Sequence, residues 1–110
     1  MLTGNLFEKI PKNLPEERFD TLVEKEGMRL ERIVSRGHAT PEEKWYDQST
    51  NEWVVLLQGA ASIVIDGRAA PVNMKPGDHV LLPAHCRHRV AWTDPEKDTV
   101  WLALHYPSHS

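Results

Sequence analysis

The chain is poor in most features that identify a protein at sight. Cys86 is its only cysteine. One thiol cannot close an internal disulfide, so packing alone must hold the fold, and such usage fits a reducing compartment. No run of 18 apolar residues is present, and Met1 to Ile10 contains no apolar signal-peptide core. Those two absences lead us to expect a soluble cytoplasmic protein with no membrane contact. Basic excess is missing as well: 13 Lys and Arg face 16 Asp and Glu, for a formal charge of -3. The electrostatic footprint of a nucleic-acid binder is therefore absent, and no block of one sign occurs. There is no internal repeat, no low-complexity segment, no Gly-rich phosphate loop after a strand and no evident serine or cysteine triad.

What is present is a 110-residue chain, 40% hydrophobic, long enough for one domain with one core. Four Trp is a high number for this length and asks for an explanation. Residues 1–18 carry Gly4, Pro11 and Pro15 and read as an extended arm. Residues 19–24 suit either a short strand or one helical turn. Residues 28–34 alternate, with Met28 and Leu30 on one side and Arg29, Glu31 and Ile33 on the other, which predicts a strand. Residues 38–44 form a loop around Pro41, and 45–47 are short and extended. Ser49-Thr50-Asn51 is turn chemistry.

Trp53 to Leu57 is apolar on both faces, as expected between two layers or at a subunit interface. Gly59 stops it. Residues 62–65 and 68–72 flank Asp66-Gly67, which predicts a hairpin with a type I′ turn. Lys75 to Asp78 is another turn. Further strands are expected at 79–82, 88–93 and 100–106, with a turn at 94–98. Some eight short strands at 8–12-residue spacing and no long helix predict an all-β sandwich or barrel.

Two polar clusters stand out on this frame. Asp47 and Glu52 run into the doubly apolar strand. Downstream come Pro76-Gly77-Asp78, Pro83, His85 and His88. Brought together in a small barrel, these carboxylates and imidazoles would form one site.

Here the chain resembles the cupin superfamily, over residues 28 to 106. The first cupin motif ends in H-x-H, three or four residues, Glu, six residues, Gly. Glu52, six intervening residues and Gly59 are similar to its end. Trp45 and Asp47 then stand at the two histidine positions, with four residues before Glu52. Pro76-Gly77-Asp78, Pro83 and His88 resemble the second motif. Within the superfamily the strings around Trp45 and His88 look like a small single-domain bacterial subgroup.

The resemblance implies a jelly-roll β-barrel over 28–106, an arm with a short edge element over 1–27, and a tail at 107–110. It implies a divalent metal as well. Cupins usually hold one with two His and a Glu from the first motif and a His from the second. Trp45 cannot be a ligand, so Asp47, Glu52 and His88 remain, and His85 is the candidate for the lost position. His85 and His88 share a face only if His85 sits in the turn after Pro83. This mixed nitrogen and oxygen set suits Zn, Fe, Mn or Ni. The competing reading is a metal-free polar network. His38 and His105 are alternative fourth ligands, each better read as structural. His79 and His109 read as surface residues.

Cys86 reads as an inert, inward-facing small side chain. Arg87 and Arg89 read as a solvated or interface face. Trp45 would fill the barrel where a ligand is missing, or serve as a stacking platform. Trp53 and Trp101 would either face a partner subunit or fill the core. Glu52 and Tyr46 are the catalytic candidates. The expected function is a metal-binding cupin that binds or acts on a small polar metabolite, as a homodimer. The alternative is a non-catalytic ligand-binding barrel without metal.

Overall fold

The computed structural model describes residues 1–108. His109 lies outside them. Eight strands follow in chain order: β1 (Arg18–Lys25), β2 (Met28–Ser35), β3 (Thr50–Gln58), β4 (Ala61–Ile65), β5 (Val72–Met74), β6 (His79–Leu82), β7 (His88–Thr93) and β8 (Thr99–Pro107). A five-stranded sheet runs β1-β2-β8-β3-β6 and a three-stranded sheet β5-β4-β7. All pairings are antiparallel. This is an all-β jelly roll, as the strand spacing predicted. Between the sheets lie Val54, Leu56, Ala61, Ile63, Met74, Leu82, Trp101 and Ala103. Removing these apolar faces from water is the main favourable term in a fold without disulfides.

The short element expected before residue 28 is a full eight-residue strand paired along β2. Its side chains are mostly exposed, so the alternation that announces a strand is faint. Two arginines of β2 and its end fasten the arm ahead of it. Arg32 donates to the Leu6 and Glu8 carbonyls at 3.0 and 2.6 Å, and pairs with Asp20 at 2.6 Å. Arg36 donates to the Lys12 carbonyl at 2.7 Å and pairs with Asp98 at 2.6 Å. Burial pushes the Asp20 carboxyl up, but hydrogen bonds from Arg32 and Arg18 outweigh it and hold it low.

The hairpin after β4 differs from the expected one. β4 pairs with Val72–Met74, not with residues 68–71. Arg68 N–H closes the turn on Ile65 O at 3.0 Å. Gly67 has a positive φ and Asp66 does not, which excludes type I′. Six residues beyond Ile65 are therefore loop before pairing resumes.

β3 explains its own composition. Glu52, Val54 and Leu56 are buried, while Trp53, Val55 and Leu57 alternate onto the outer face. In register, Leu81, Trp53, Leu104, Leu30 and Val23 form one apolar row across the outside of the large sheet. Trp53 thus takes the outward position, and Trp101 takes the core, 3% exposed.

Candidate functional site

Four strands deliver one titratable side chain each to the same space. Glu31 comes from β2, Glu52 from β3, His88 from β7 and His105 from β8, and all four are buried. They line a cavity of about 300 Å³, together with Glu17, Arg29, Tyr46 and Gln48. Its walls are otherwise apolar, with Phe19, Ile33, Val54 and Trp101 among them. The register places Glu52 directly opposite His105, and His105 opposite Arg29.

The hydrogen bonds fix both imidazoles. His88 Nδ1 lies 2.9 Å from the Cys86 carbonyl, which can only accept. A proton therefore sits on Nδ1, and Nε2 faces Glu52 Oε1 at 3.7 Å. His105 is the reverse. Its Nε2 lies 2.9 Å from Glu31 Oε1, so Nε2–H donates to the carboxylate. Nδ1 of His105 is buried with no partner among the described residues. Glu52 Oε1 accepts from Gln48 Nε2 at 2.9 Å, and its other oxygen lies 3.9 Å from His105 Nε2. Arg29 Nε stands 3.5 Å from Glu31 Oε2, close enough for attraction but without a hydrogen bond.

Glu17 closes one side. Its carboxylate accepts the Ser35 hydroxyl, and Ser35 Oγ in turn accepts Trp101 Nε1–H at 3.2 Å. Burial pushes the Glu17 carboxyl above its ordinary 4.5, beyond what the Ser35 hydrogen bond recovers. A carboxyl raised by folding contributes stability that is complete below pH 4.5 and falls as pH climbs through the folded value. Glu17→Gln removes that fall. We expect the variant's melting temperature to gain on the wild type as pH rises above 4.5, and to stop gaining once the folded carboxyl has ionised. A difference independent of pH would show that ionisation of Glu17 is not the cause.

Tyr46 reaches the cavity from a loop sewn to β7. Tyr46 N–H donates to His88 O at 2.8 Å, and His88 N–H to Tyr46 O at 3.1 Å. The Tyr46 ring stacks on His88 with centroids 5.5 Å apart. Burial raises the phenol, and the nearby Glu17 raises it further, so Tyr46 keeps its proton and is a donor at neutral pH.

Two of the four expected ligands are in the cavity and two are not. Glu52 and His88 line it. Asp47 and His85 lie outside, with side chains 48% and 70% exposed, and pair with each other at 2.8 Å. His85 does sit in the turn after Pro83, with φ +63, but its side chain points away. The reason for Asp47 is a one-residue offset. Tyr46 and Gln48 face inward, so Trp45 and Asp47 face out. Tyr46 and Gln48, three residues before Glu52, hold the histidine places of the first motif. Trp45 does not fill the barrel. It packs beneath Arg87 and Arg89, whose guanidinium carbons lie 5.2 and 5.5 Å from its ring centre. Cys86 is half-buried against the core, as its parity suggested.

Glu31, Glu17, Arg29 and Gln48 were not among the sequence candidates, and His105 was read as structural. Glu31 and Arg29 carried a readable signal: two charged residues share one face of an alternating strand with Ile33. Among the described residues, no three His, Cys, Asp or Glu side chains stand around a common point as metal ligands would. The four central groups form a chain instead, linked pairwise. The first-motif positions hold a protonated phenol and an amide, neither a strong ligand. The arrangement therefore does not fit the four-ligand shell that the resemblance implied.

The second motif is structural in detail. Lys75 N–H donates to Asp78 Oδ2 at 3.0 Å, and Gly77, at φ +97, donates to Leu56 O at 2.8 Å. The backbone hydrogen bond from Lys75 holds the Asp78 carboxyl below its ordinary range. The turn is thereby pinned to β3, and the chain returns to the barrel at His88. With fold, motif turns and inward-facing site on view, the comparison with known families is direct: residues 32–105 match the family described as "Cupin domain".

The chain belongs to the cupin family.

Solved structures agree. This cupin is similar over 97% of its length to 99% of a protein from Ralstonia eutropha JMP134, with 48% identity and a TM-score of 0.95. That protein is described as a "putative mannose-6-phosphate isomerase". An RmlC-like cupin from Desulfovibrio desulfuricans aligns over 97% of both chains at 20% identity and a TM-score of 0.76. A cupin superfamily protein from Desulfitobacterium hafniense aligns over 89% of this chain and 84% of its own at 16% identity and 0.72. The last two speak to the fold alone. No curated protein matches the chain. Among the described residues no helix is long and apolar enough to cross a membrane.

Proposed function

We propose that this cupin binds a small polar metabolite in its barrel and moves a proton on it. One observation carries the reading: four buried acid–base side chains from four strands meet in a single cavity, at 2.9 to 3.9 Å from one another along the chain. His88 and His105 hold opposite tautomers there. His88 Nε2 presents a lone pair and is placed to accept a proton from the ligand. The Tyr46 hydroxyl is the donor for an oxygen that gains charge as that proton leaves, while His105 Nε2–H is held by Glu31. Glu52 lies between the two imidazoles and holds an imidazolium at either one. The Ralstonia relative is described as a "putative" isomerase, and a role in isomerisation is compatible with this reading. We also place it in the cytoplasm, since its single thiol suits a reducing compartment.

A second reading keeps a divalent ion, Zn, Fe, Mn or Ni, as cupins often do. It is favoured by His88, whose Nδ1 is anchored on a carbonyl while Nε2 is aimed at Glu52, the orientation of a metal-binding imidazole. Chelation separates the two. The first reading expects metabolite binding, followed by thermal shift or calorimetry, to survive removal of metal by EDTA. Loss on chelation, with recovery on adding back one of these ions, would favour the second.

We also propose a homodimer through the apolar row on the large sheet, where Val23 and Leu81 are 59% and 53% exposed. Sedimentation should return a dimer for the wild type and a monomer for Trp53→Glu. A monomeric wild type would contradict it.

A further inference from the structure

The charge in the cavity is lopsided. Glu17, Glu31 and Glu52 face it against one guanidinium, that of Arg29. Arg29 leans on Glu31, and Glu31 also accepts from His105. Glu17 is engaged by Ser35. Glu52 is the carboxylate left over. Its recorded donor is a neutral amide, and the imidazoles beside it stand beyond hydrogen-bond reach at 3.7 and 3.9 Å. A buried carboxylate served by one amide is poorly compensated and favours a cationic partner.

A second, independent observation marks this end of the cavity as built for a ligand. His88 is buried, its side chain 8% exposed, yet Nε2 has no hydrogen-bond partner among the described residues. The walls complete the picture. Phe19, Tyr46 and Trp101 line the same space, and aromatic faces attract cations and reject anions.

We infer that the ligand of this site carries an ammonium group, set against Glu52 with an apolar body along the aromatic wall. The inference rests on the reading that the cavity binds a metabolite, and it names the class. A phosphorylated sugar is the opposite of what this charge pattern accepts. Its phosphate would meet the carboxyl groups of Glu31 and Glu52 and a single arginine already turned toward Glu31.

Three probes of one shape test the sign of the charge: butylammonium, butanol and butyrate. Binding is read from the imidazole and indole signals of His88, His105 and Trp101 by NMR, up to the solubility of each probe. The expected order is ammonium first, alcohol next and carboxylate last, with about a tenfold gap between the first two. Glu52→Gln should close that gap while butanol still binds, which separates lost charge from lost folding. Mannose 6-phosphate should bind no tighter than mannose. Butyrate or mannose 6-phosphate binding best would overturn the ammonium assignment and leave the cavity as the binding site. If none of the probes and neither sugar moved those signals, the binding reading itself would fall.

Discussion

Gly59→Ala is expected to destabilise this cupin by roughly 2–5 kcal/mol, the sum of a left-handed backbone for a residue with Cβ and an overpacked site. Gly59 ends β3 with φ +91. An added Cβ would lie 2.7 Å from Thr99 Cα and 2.9 Å from the Asp98 carbonyl oxygen, and would also overlap Thr99 Oγ1. Backbone atoms cannot swing away as a side-chain tip does. Thr99 is fully buried and bonded to Ala60, its hydroxyl donating to Ala60 O at 3.2 Å. The β3–β8 pairing already shifts register between Leu56 and Gln58, so little slack is left at that corner. Denaturant unfolding checks the value. Gly67→Ala makes the control: the same positive φ, but open space around the added Cβ. It should cost less than half as much. Equal losses would mean that backbone conformation alone, without the close approach to β8, governs both.

The second large effect belongs to the cavity. Once a substrate is found, His88→Ala and Glu52→Gln should each lower kcat by about 10²–10⁴, the usual range for one acid–base group. His105→Ala should lower kcat by less, because its Nε2–H is held by Glu31 and acts on the site through that carboxylate. Asp47→Ala and His85→Ala should leave kcat within about threefold, since exposed ion pairs contribute little. Melting curves run alongside separate chemistry from folding. A variant that loses kcat and keeps its melting temperature identifies a working group. Full activity in His88→Ala would remove the cavity cluster from the mechanism.

These two positions differ in how far they could be read from sequence. Gly59 was legible because a glycine seven residues after Glu52, ending an apolar strand, has few other reasons to be there. The barrel was legible for similar reasons: short alternating runs, Asp-Gly and Pro-Gly-Asp turns, no helix period. The inward direction of Glu52 and His88 was legible because each sits at a fixed distance from a turn that sets it. Asp47 was not, since the spacing before Glu52 allows three residues or four, and one residue changes the face. That ambiguity exchanged Tyr46 and Gln48 for Trp45 and Asp47. It also gave His85 a partner in the cavity that it meets only on the surface.

Glu31 and His105 illustrate a different limit. They lie 74 positions apart in sequence and meet because β2 and β8 are neighbours in the large sheet. Local pattern shows which face each residue takes, but not which strand lies beside it. Glu17 was hidden for the same reason: it belongs to a stretch with no periodicity that becomes part of the wall only when β1 pairs with β2. The four Trp resolve into separate roles. Trp101 is core, Trp53 is outer face, Trp92 is exposed on β7, and Trp45 serves as a platform for two arginines outside the barrel.

The central claim is that small molecules act at the Glu31–His105–Glu52–His88 cluster inside the barrel and not at the exposed Asp47–His85 pair. Nitrogen NMR of the histidine side chains during titration with a metabolite library addresses it most directly. We expect any true ligand to move the imidazole signals of His88 and His105 together, to leave His85 in place, and to bind His85→Ala with unchanged affinity. A ligand that moved His85 alone, or that was lost in His85→Ala while His88 and His105 stayed still, would contradict the account.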